Sequence, residues 1–240
     1  MSNLRFLISL LLVFFIFGCS EKALLKLKTP SEKTEVKSKT SNARYFYPLL
    51  SEPTIYSYRN IVNGLEEQFH RIYTLKDMAG RHLIVERYDG EGRILEALNY
   101  NIDSLTVMDH MVVNRFQQKE KATLYENKLF PTDLSKEIWF ASKFSGVTDS
   151  TVILYEIKRK KYQQTQIVTL GENLNTLIFN DKIRLTTLNP YTRKEEAVET
   201  EMRSYFAEGK GLVEWHNKDK SVHFRLEKIY SQEEWIKLIR

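Results

Sequence analysis

The chain has 240 residues, of which 42% are hydrophobic and 28% are charged. This balance is typical of a globular protein and excludes a predominantly disordered chain. The formal net charge is +5, but Arg5 supplies one positive charge, and residues 20–44, with seven Lys or Arg and three Glu, supply four. Residues 45–240 are therefore neutral overall, which excludes the basic surface that a nucleic-acid partner requires.

The N-terminus has the pattern of an export signal. Arg5 precedes the uncharged run 6–17, which has secretory length and is too short to span a bilayer as a stable helix. The run ends in Ile16-Phe17-Gly18-Cys19, which resembles the lipobox of bacterial lipoproteins. The resemblance implies that residues 1–18 are removed as a signal peptide and that Cys19 carries palmitate and other acyl chains. The alternatives are an ordinary secretory signal or an uncleaved membrane anchor.

Residues 19–44 are predicted to be a lipidated cysteine followed by a flexible, weakly basic linker, because they are polar and lack aromatic residues. Cys19 is the one cysteine of the chain, so its lipidation leaves no thiol for a disulfide, a zinc site or a nucleophile. The expected location is the cell envelope, anchored through lipid. Ser20 is not acidic, which in some bacteria favours sorting to the outer membrane.

Aromatic and β-branched residues dominate from Tyr45 onward, so residues 45–240 are predicted to form one antiparallel β domain. Asn63-Gly64 predicts a type I′ hairpin. Residues 105–113 fit a buried strand or a short helix, and residues 133–144 fit a short helix or an aromatic strand. The other strands predicted in the first half are 54–62, 65–76, 81–88 and 93–101.

Charged and turn-forming residues divide the second half into short predicted strands. Residues 158–161 are interpreted as a solvated hairpin tip between strands 151–158 and 163–170. Asn180-Asp181 is interpreted as the break between strands 174–179 and 182–188. Further strands are predicted over 197–206, 211–215 and 222–230.

A capping box, Ser231 to Glu234, predicts a short C-terminal helix that covers an open edge or end of the sheet. In strand 222–230 the alternation places Phe224 inside and His223 on a wet face. About ten antiparallel strands without βαβ alternation predict a mostly β fold. We expect a single, strongly curved sheet, half-barrel or barrel-like, with this short helix at its end.

Two short segments resemble uncharacterised envelope β-proteins of bacteria. Residues 205–214 read YFAEGKGLVE, an aromatic-x-x-Gly-x-Gly-Leu-Val signature, and residues 45–49 read YFYPL. The resemblance implies a curved antiparallel sheet and no established chemistry. Gly209 and Gly211 are interpreted as turn or bulge glycines, with a ligand-cradling loop as the alternative.

No residue stands out as catalytic, and we expect no cofactor or metal. The histidines are not spaced as in HExxH, although two pairs lie on neighbouring predicted strands or flank one hairpin. Asp109 and His110 are expected to point to opposite faces of a strand, which argues against a dyad. The histidines are His70, His82, His110, His216 and His223.

The sequence therefore favours a membrane-anchored envelope lipoprotein with a non-catalytic structural or interaction role, whose partners are the membrane and an envelope protein. The first alternative is a carrier or chaperone for a hydrophobic ligand such as a lipid, which requires an open concave apolar face. The second is an envelope enzyme, which requires a cleft with convergent carboxylates or histidines.

Overall fold

The computed structural model describes residues 42–78, 80–114, 116–146 and 151–239, so the predicted signal, Cys19 and the linker up to residue 41 lie outside the described residues. A short 3₁₀ helix, Ala43–Tyr45, precedes the sheet, and helix α1 (Gln232–Leu238) follows it. The strands are β1 (Thr54–Asn60), β2 (Glu67–Asp77), β3 (Gly80–Asp89), β4 (Ile94–Asn101), β5 (Val107–Val113), β6 (Lys119–Lys121), β7 (Thr123–Asn127), β8 (Ile138–Ser145), β9 (Val152–Thr169), β10 (Glu172–Asn189), β11 (Lys194–Ala207), β12 (Gly211–Asn217) and β13 (His223–Ser231).

All thirteen strands form one antiparallel sheet, which confirms the predicted mostly β class. Their spatial order is β6-β5-β4-β3-β2-β1-β13-β12-β11-β10-β9-β8-β7. The order follows the chain except where β1 pairs with β13, which joins the two halves of the sheet. The sheet is not closed: within the described residues, the edge strands β6 and β7 are consecutive in the chain but do not pair.

The two ends of the strand order nevertheless come into contact. A β-bridge joins Thr106, just before β5, to Lys128, just after β7. The His110 ring also lies 5.7 Å from the ring of Phe140 on β8. Side chains from β5 and β8 therefore share one interior, although these strands stand next to opposite edges of the sheet.

The main hydrophobic core lies on this interior side and is rich in aromatic rings. Phe130, from the loop before β8, packs against Phe46, Phe179 and Phe206 at centroid distances of 5.1–5.8 Å. Such edge-on and tilted contacts are the favoured geometry for aromatic pairs. The aromatic residues thus fill much of the core, as expected for a sheet built mainly from β-branched and aromatic positions.

Helix α1 lies on a face of the sheet, so the predicted position at an edge or end is wrong. Its capping box is confirmed, since the Ser231 side chain accepts from the Glu234 amide and Glu234 accepts from the Ser231 amide. Trp235 is buried against Ile55 and Phe69, on the face of β1 and β2 opposite the main core. The helix therefore buries a small second core at the middle of the strand order.

The predicted breaks at residues 158–161 and at Asn180-Asp181 are wrong, because both lie within long continuous strands. Strands β9 and β10 have 18 residues each, and Arg159 pairs directly opposite Asp181. Lys158 and Lys160 are exposed while Arg159 between them is buried. The basic run is thus an alternating strand with one inward arginine, which meets its partner charge across the ladder.

Several local predictions are also settled by the structure. Residues 107–113 form a strand, and β8 is a strand from which Trp139 points outward, 39% exposed. The β1–β2 hairpin exists, but only Gly64 has a positive φ, so its turn is not type I′. His223 is buried beside Glu214, so its predicted place on a wet face is wrong.

Candidate functional site

The interior between the two halves of the sheet contains a cavity of about 220 Å³. Residues of β2, β3, β4 and β5 line it from one side, and residues of β8 to β12 line it from the other. Phe46 and Tyr47, which precede β1, and Leu129, from the loop before β8, also line it. Much of the lining is apolar, but four charged side chains and two histidines also reach the cavity.

One ion pair in the cavity wall, Arg159 with Asp181, is held by several short hydrogen bonds. Arg159 donates from Nε and Nη2 to the two carboxylate oxygens of Asp181, at 2.7 and 2.8 Å, and from Nη1 to the Leu129 carbonyl at 2.5 Å. Ser204 donates to the same carboxylate at 2.6 Å. Burial alone would lower the pKa of Arg159, but the charge of Asp181 outweighs burial and raises it. Arg159 is therefore charged, and the paired hydrogen bonds hold the two side chains in a fixed orientation.

The second pair belongs to a longer hydrogen-bonded chain. Arg87 donates from Nη1 to Glu96 at 2.6 Å, and the other Glu96 oxygen lies 3.3 Å from His110 Nε2. His110 Nδ1 lies 3.0 Å from Ser142 Oγ. Burial raises the pKa of Glu96, but the charge of Arg87 and the hydrogen bond from His110 outweigh it and hold the pKa at about 2. Glu96 is thus a carboxylate at neutral pH.

This series of hydrogen-bonded side chains has the order serine, histidine, carboxylate, which is the order of a nucleophilic triad. Because a carboxylate can only accept, Nε2 of His110 carries a proton, and Nδ1 of the same ring contacts the Ser142 hydroxyl. Ser142, however, is completely buried and does not line the cavity. A substrate in the cavity would not meet its hydroxyl, so the hydrogen bond is suited to fixing the His110 ring rather than to attack.

His70 lies on the cavity wall with one ring nitrogen satisfied and one not. Its Nδ1 is 3.3 Å from the Tyr47 hydroxyl, and its ring stacks on Trp215 at 5.7 Å. Nε2 is buried and has no hydrogen-bond partner among the described residues. Burial lowers the pKa of His70 well below its usual range, and the nearby charge of Arg87 lowers it further. His70 is therefore neutral at neutral pH.

Three further polar groups of the wall have no partner among the described residues. The Tyr100 and Tyr155 hydroxyls make no hydrogen bond, and burial raises the pKa of both, so they remain protonated. Nε of Arg87 is buried without an acceptor. Nε of Arg87 is enclosed by the protein and out of reach of a molecule in the cavity, so its missing hydrogen bond is a cost to stability. The two tyrosine hydroxyls are not enclosed in this way.

Comparison with known proteins gives matches only to solved structures. One is a protein described as a candidate lipoprotein of Parabacteroides distasonis, with 12% identity, 78% of this chain and 98% of that chain covered, and a TM-score of 0.47. Another is a protein from Bacteroides fragilis described as a candidate exported protein with a YmcC-like fold, with 12% identity, 78% of this chain and 99% of that chain covered, and a TM-score of 0.44. No protein-family model and no curated protein matches the chain.

Of the histidine pairs considered from sequence, the structure brings one together. The rings of His216 and His223 lie 5.1 Å apart, and His223 Nε2 is 2.7 Å from Glu214. His82 instead lies 2.9 Å from Asp77 and makes no contact with His70. Among the residues that the structure describes, no three His, Cys, Asp or Glu side chains are placed to hold a metal ion.

Asp109 and His110 point to opposite faces, as predicted. Asp109 forms an ion pair with Lys121, whereas His110 is buried in the chain with Glu96. Sequence reasoning found no carboxylate in an apolar context and so missed Glu96, together with Arg87, Arg159 and Asp181. Arg87, Arg159 and Asp181 sit in strands among polar neighbours, where a charged residue is normally solvated. Glu96 lies between Leu95 and Ala97, and this apolar context was the signal that could have found it.

The two segments that resemble envelope β-proteins pack against each other. The Gly209 amide donates to the Arg44 carbonyl at 2.8 Å, and Gly211 lies directly against the Tyr47 ring. Both glycines have positive φ, 71° and 81°, in the turn between β11 and β12. Their predicted role as turn glycines is confirmed, and Gly211 also leaves room for Tyr47, which lines the cavity.

Proposed function

We propose that this chain is a lipid-anchored protein of the bacterial cell envelope with a non-catalytic, interaction role. The observation that carries the proposal is the sequence Ile16-Phe17-Gly18-Cys19 after an apolar run of secretory length. Residues 1–18 would be removed, and palmitate and other acyl chains would be attached to Cys19. Each buried methylene contributes about 0.8 kcal/mol, so two or three chains hold a protein durably at a membrane.

The remaining chain would consist of a basic linker, 19–44, and the β domain, 45–240. The linker carries four net positive charges and would hold the neutral domain away from the membrane surface. Ser20 favours the outer membrane under the sorting rules known for some bacteria. None of the helices in the described part of the chain has the length and apolar composition needed to cross a bilayer.

The domain itself would act through its shape rather than through catalysis, as a half-barrel around the cavity. Support comes from β5 and β8, which stand near opposite edges of the sheet yet share the contact between His110 and Ser142. Support for a non-catalytic role comes from Ser142, whose burial keeps its hydroxyl out of the cavity that Glu96 and His110 line.

A carrier of hydrophobic ligands is the second candidate, favoured by the internal cavity. Its volume of about 220 Å³ is below the roughly 300–1,000 Å³ typical of pockets for drug-sized ligands. Two ion pairs also lie in its wall. The geometry therefore favours a small, partly polar ligand over an acylated lipid.

The anchor is tested by expressing the full chain and its Cys19→Ala variant in a lipoprotein-forming bacterium. We expect the wild type to incorporate labelled palmitate and to remain with membranes after a high-salt wash, and the variant to do neither. Ser20→Ala is the matched control, because it keeps the thiol and should remain anchored. Cys19→Ala that stays membrane-bound and labelled would refute the lipid anchor.

A further inference from the structure

Strand β11 has a neighbour on both sides over only part of its length. On one side β10 pairs with it from Lys194 to Ala207 without interruption, whereas on the other side β12 pairs with it only from Met202 to Ala207. Among the described residues, no strand pairs with residues 194–200 on that second side. These residues form a free lateral edge of the sheet, and we call them the β11 edge.

A hydrogen bond next to the β11 edge shows which of its backbone groups point outward. In an antiparallel ladder, successive residues bond alternately to one neighbouring strand and to the other. The Lys218 amide donates to the Glu201 carbonyl at 3.2 Å, so the backbone groups of Glu201 point away from β10. The β10–β11 register has no shift, so Glu195, Ala197 and Glu199 point theirs in the same direction. The amides and carbonyls of these three residues are therefore directed towards an additional strand.

The two terminal strands of the sheet are protected against such pairing in ways that the β11 edge is not. Strand β6 has 3 residues, and β7 has 5 with a register shift against β8. Short or irregular edge strands discourage pairing with another chain. The β11 edge is longer, belongs to a regular ladder and contains no proline. The protection that remains is the charge of its side chains.

The charge of the β11 edge is negative and exposed to solvent. Its three glutamates, Glu195, Glu196 and Glu199, outnumber Lys194, and all four side chains are more than half exposed. Glu196 is paired with Lys194 at 2.7 Å, whereas Glu195 and Glu199 share Arg184 at 3.8 and 3.9 Å. Exposed ion pairs of this kind contribute little, so the edge keeps an excess of negative charge.

This charge discriminates between possible partner strands. A second copy of the chain, paired antiparallel about Ala197, would place Glu195 of each copy opposite Glu199 of the other. Like charges directly opposite each other in a sheet are destabilising. A strand that carries lysine or arginine on the same face would instead be attracted to both glutamates.

The other face of the β11 edge is apolar at its centre. Val198 is 66% exposed and lies opposite Leu185 of β10, which is 41% exposed. Because side chains alternate along a strand, Val198 points to the face opposite to that of Glu195 and Glu199. An apolar residue of an added strand would cover Val198 on its free side. The complementary strand therefore alternates basic residues on one face with apolar residues on the other.

We propose that the β11 edge is a docking site for an extended polypeptide segment of an envelope partner, added antiparallel as a further strand, in which basic and apolar residues alternate. Main-chain hydrogen bonds hold such a segment, and its side chains provide selectivity. This proposal names the partner surface of the interaction role and rests on that role, but it does not depend on the lipid anchor.

The test uses the purified full-length chain in an uncharged detergent and fluorescence polarisation with labelled peptides of alternating lysine and valine, as long as the β11 edge. The matched control peptide has glutamate in place of lysine. We expect saturable binding of the lysine peptide at low salt and at least about tenfold weaker binding of the glutamate peptide. Absence of saturable binding of the lysine peptide, or equal binding of the two peptides, would overturn the proposal.

A second pair of peptides separates strand addition from attraction between charges alone. Directly opposite residues of an antiparallel pair share a face, so the peptide lysines lie opposite Glu195, Ala197 and Glu199, and their amides donate to the edge. Methylation of the lysine amides should therefore give at least about tenfold weaker binding than methylation of the valine amides, which point away. Equal binding of the two methylated peptides would contradict strand addition.

Variants locate the site. Ala197→Pro removes an outward amide that does not bond to β10, so the fold should be kept, and we expect at least about tenfold weaker binding of the lysine peptide. Ala197→Thr keeps the amide and should leave binding unchanged. If Ala197→Pro does not fold, as judged by tryptophan fluorescence, the double variant Glu195→Gln and Glu199→Gln provides the test and should weaken binding several-fold. Unchanged binding in a folded Ala197→Pro protein, or in the double variant if Ala197→Pro is unfolded, would contradict the assignment. The assays involve no membrane, so their outcome is independent of the Cys19→Ala result.

Discussion

The ion pair between Arg159 and Asp181 provides the sharpest test of the fold. The substitution Asp181→Asn removes one charge and keeps nearly the same shape. Asp181 is 3% exposed and accepts two hydrogen bonds from Arg159 and one from Ser204. The variant would leave the Arg159 guanidinium buried without a matching charge, a state that folded proteins strongly disfavour.

Removing one partner of a buried ion pair typically costs about 3–5 kcal/mol. The new amide oxygen can still accept one hydrogen bond from Arg159, so we expect a loss near 3 kcal/mol in the free energy of unfolding. Whole domains are stable by about 5–15 kcal/mol, so the shift is easily measured by urea denaturation followed by tryptophan fluorescence. Glu196→Gln removes a charge from the exposed pair with Lys194, 68% and 72% accessible, and should give no measurable change.

A loss below about 1 kcal/mol for Asp181→Asn would refute the reasoning. Such a result would mean that Asp181 is solvated, as the sequence-based turn at Asn180-Asp181 required. The double variant Arg159→Met and Asp181→Leu gives a second check, because apolar replacement of both partners of a buried pair is often close to neutral. It should recover most of the stability that the single variant loses.

Three further predictions concern other contacts. Gly211→Ala adds a Cβ at φ +81° that overlaps the Tyr47 ring, so it should lose at least about 1 kcal/mol more in urea denaturation than Gly209→Ala, which has positive φ and open space. Trp235→Ala should lose about 3 kcal/mol, because it empties the small core beneath α1; an equal effect from the exposed Leu238→Ala would contradict this. The pKa of Glu96 is held at about 2, so its ionisation stabilises the fold above its ordinary pKa of 4.5, by up to about 3 kcal/mol, and this is lost as pH falls towards 2. The difference in stability between wild type and Glu96→Gln should shrink over that range, and a pH-independent difference would refute the assigned pKa.

The parts of the fold that could be predicted are those specified by local chemistry. The first four strands follow turn residues and alternating patterns, and the helix follows a capping box that needs only Ser231 and Glu234. These signals extend over two to four residues, so they can be recognised in a single sequence. Their details still depend on the neighbours, as the turn at Asn63-Gly64 shows.

The long strands could not be predicted because their charged residues are satisfied across the sheet. A basic run at 158–161 and an Asn-Asp pair at 180–181 each resemble a turn when considered alone. Paired in register, they place Arg159 opposite Asp181 and leave the flanking lysines in water. The partner of each residue lies 22 positions away, beyond the reach of any local pattern.

The cavity was hidden for a related reason. Pairing between strands brings the charged residues of the wall together. Because each pair contains opposite charges, it adds nothing to the net charge of the domain and cannot be detected from composition. Pairing accounts for Glu96, Arg159 and Asp181 in full, but for only one nitrogen of Arg87. A buried donor that the fold itself does not satisfy is retained at a cost to stability. Nε of Arg87 is such a donor, and no pattern in the sequence indicates it, because its surroundings are set by strands that lie far apart in the chain.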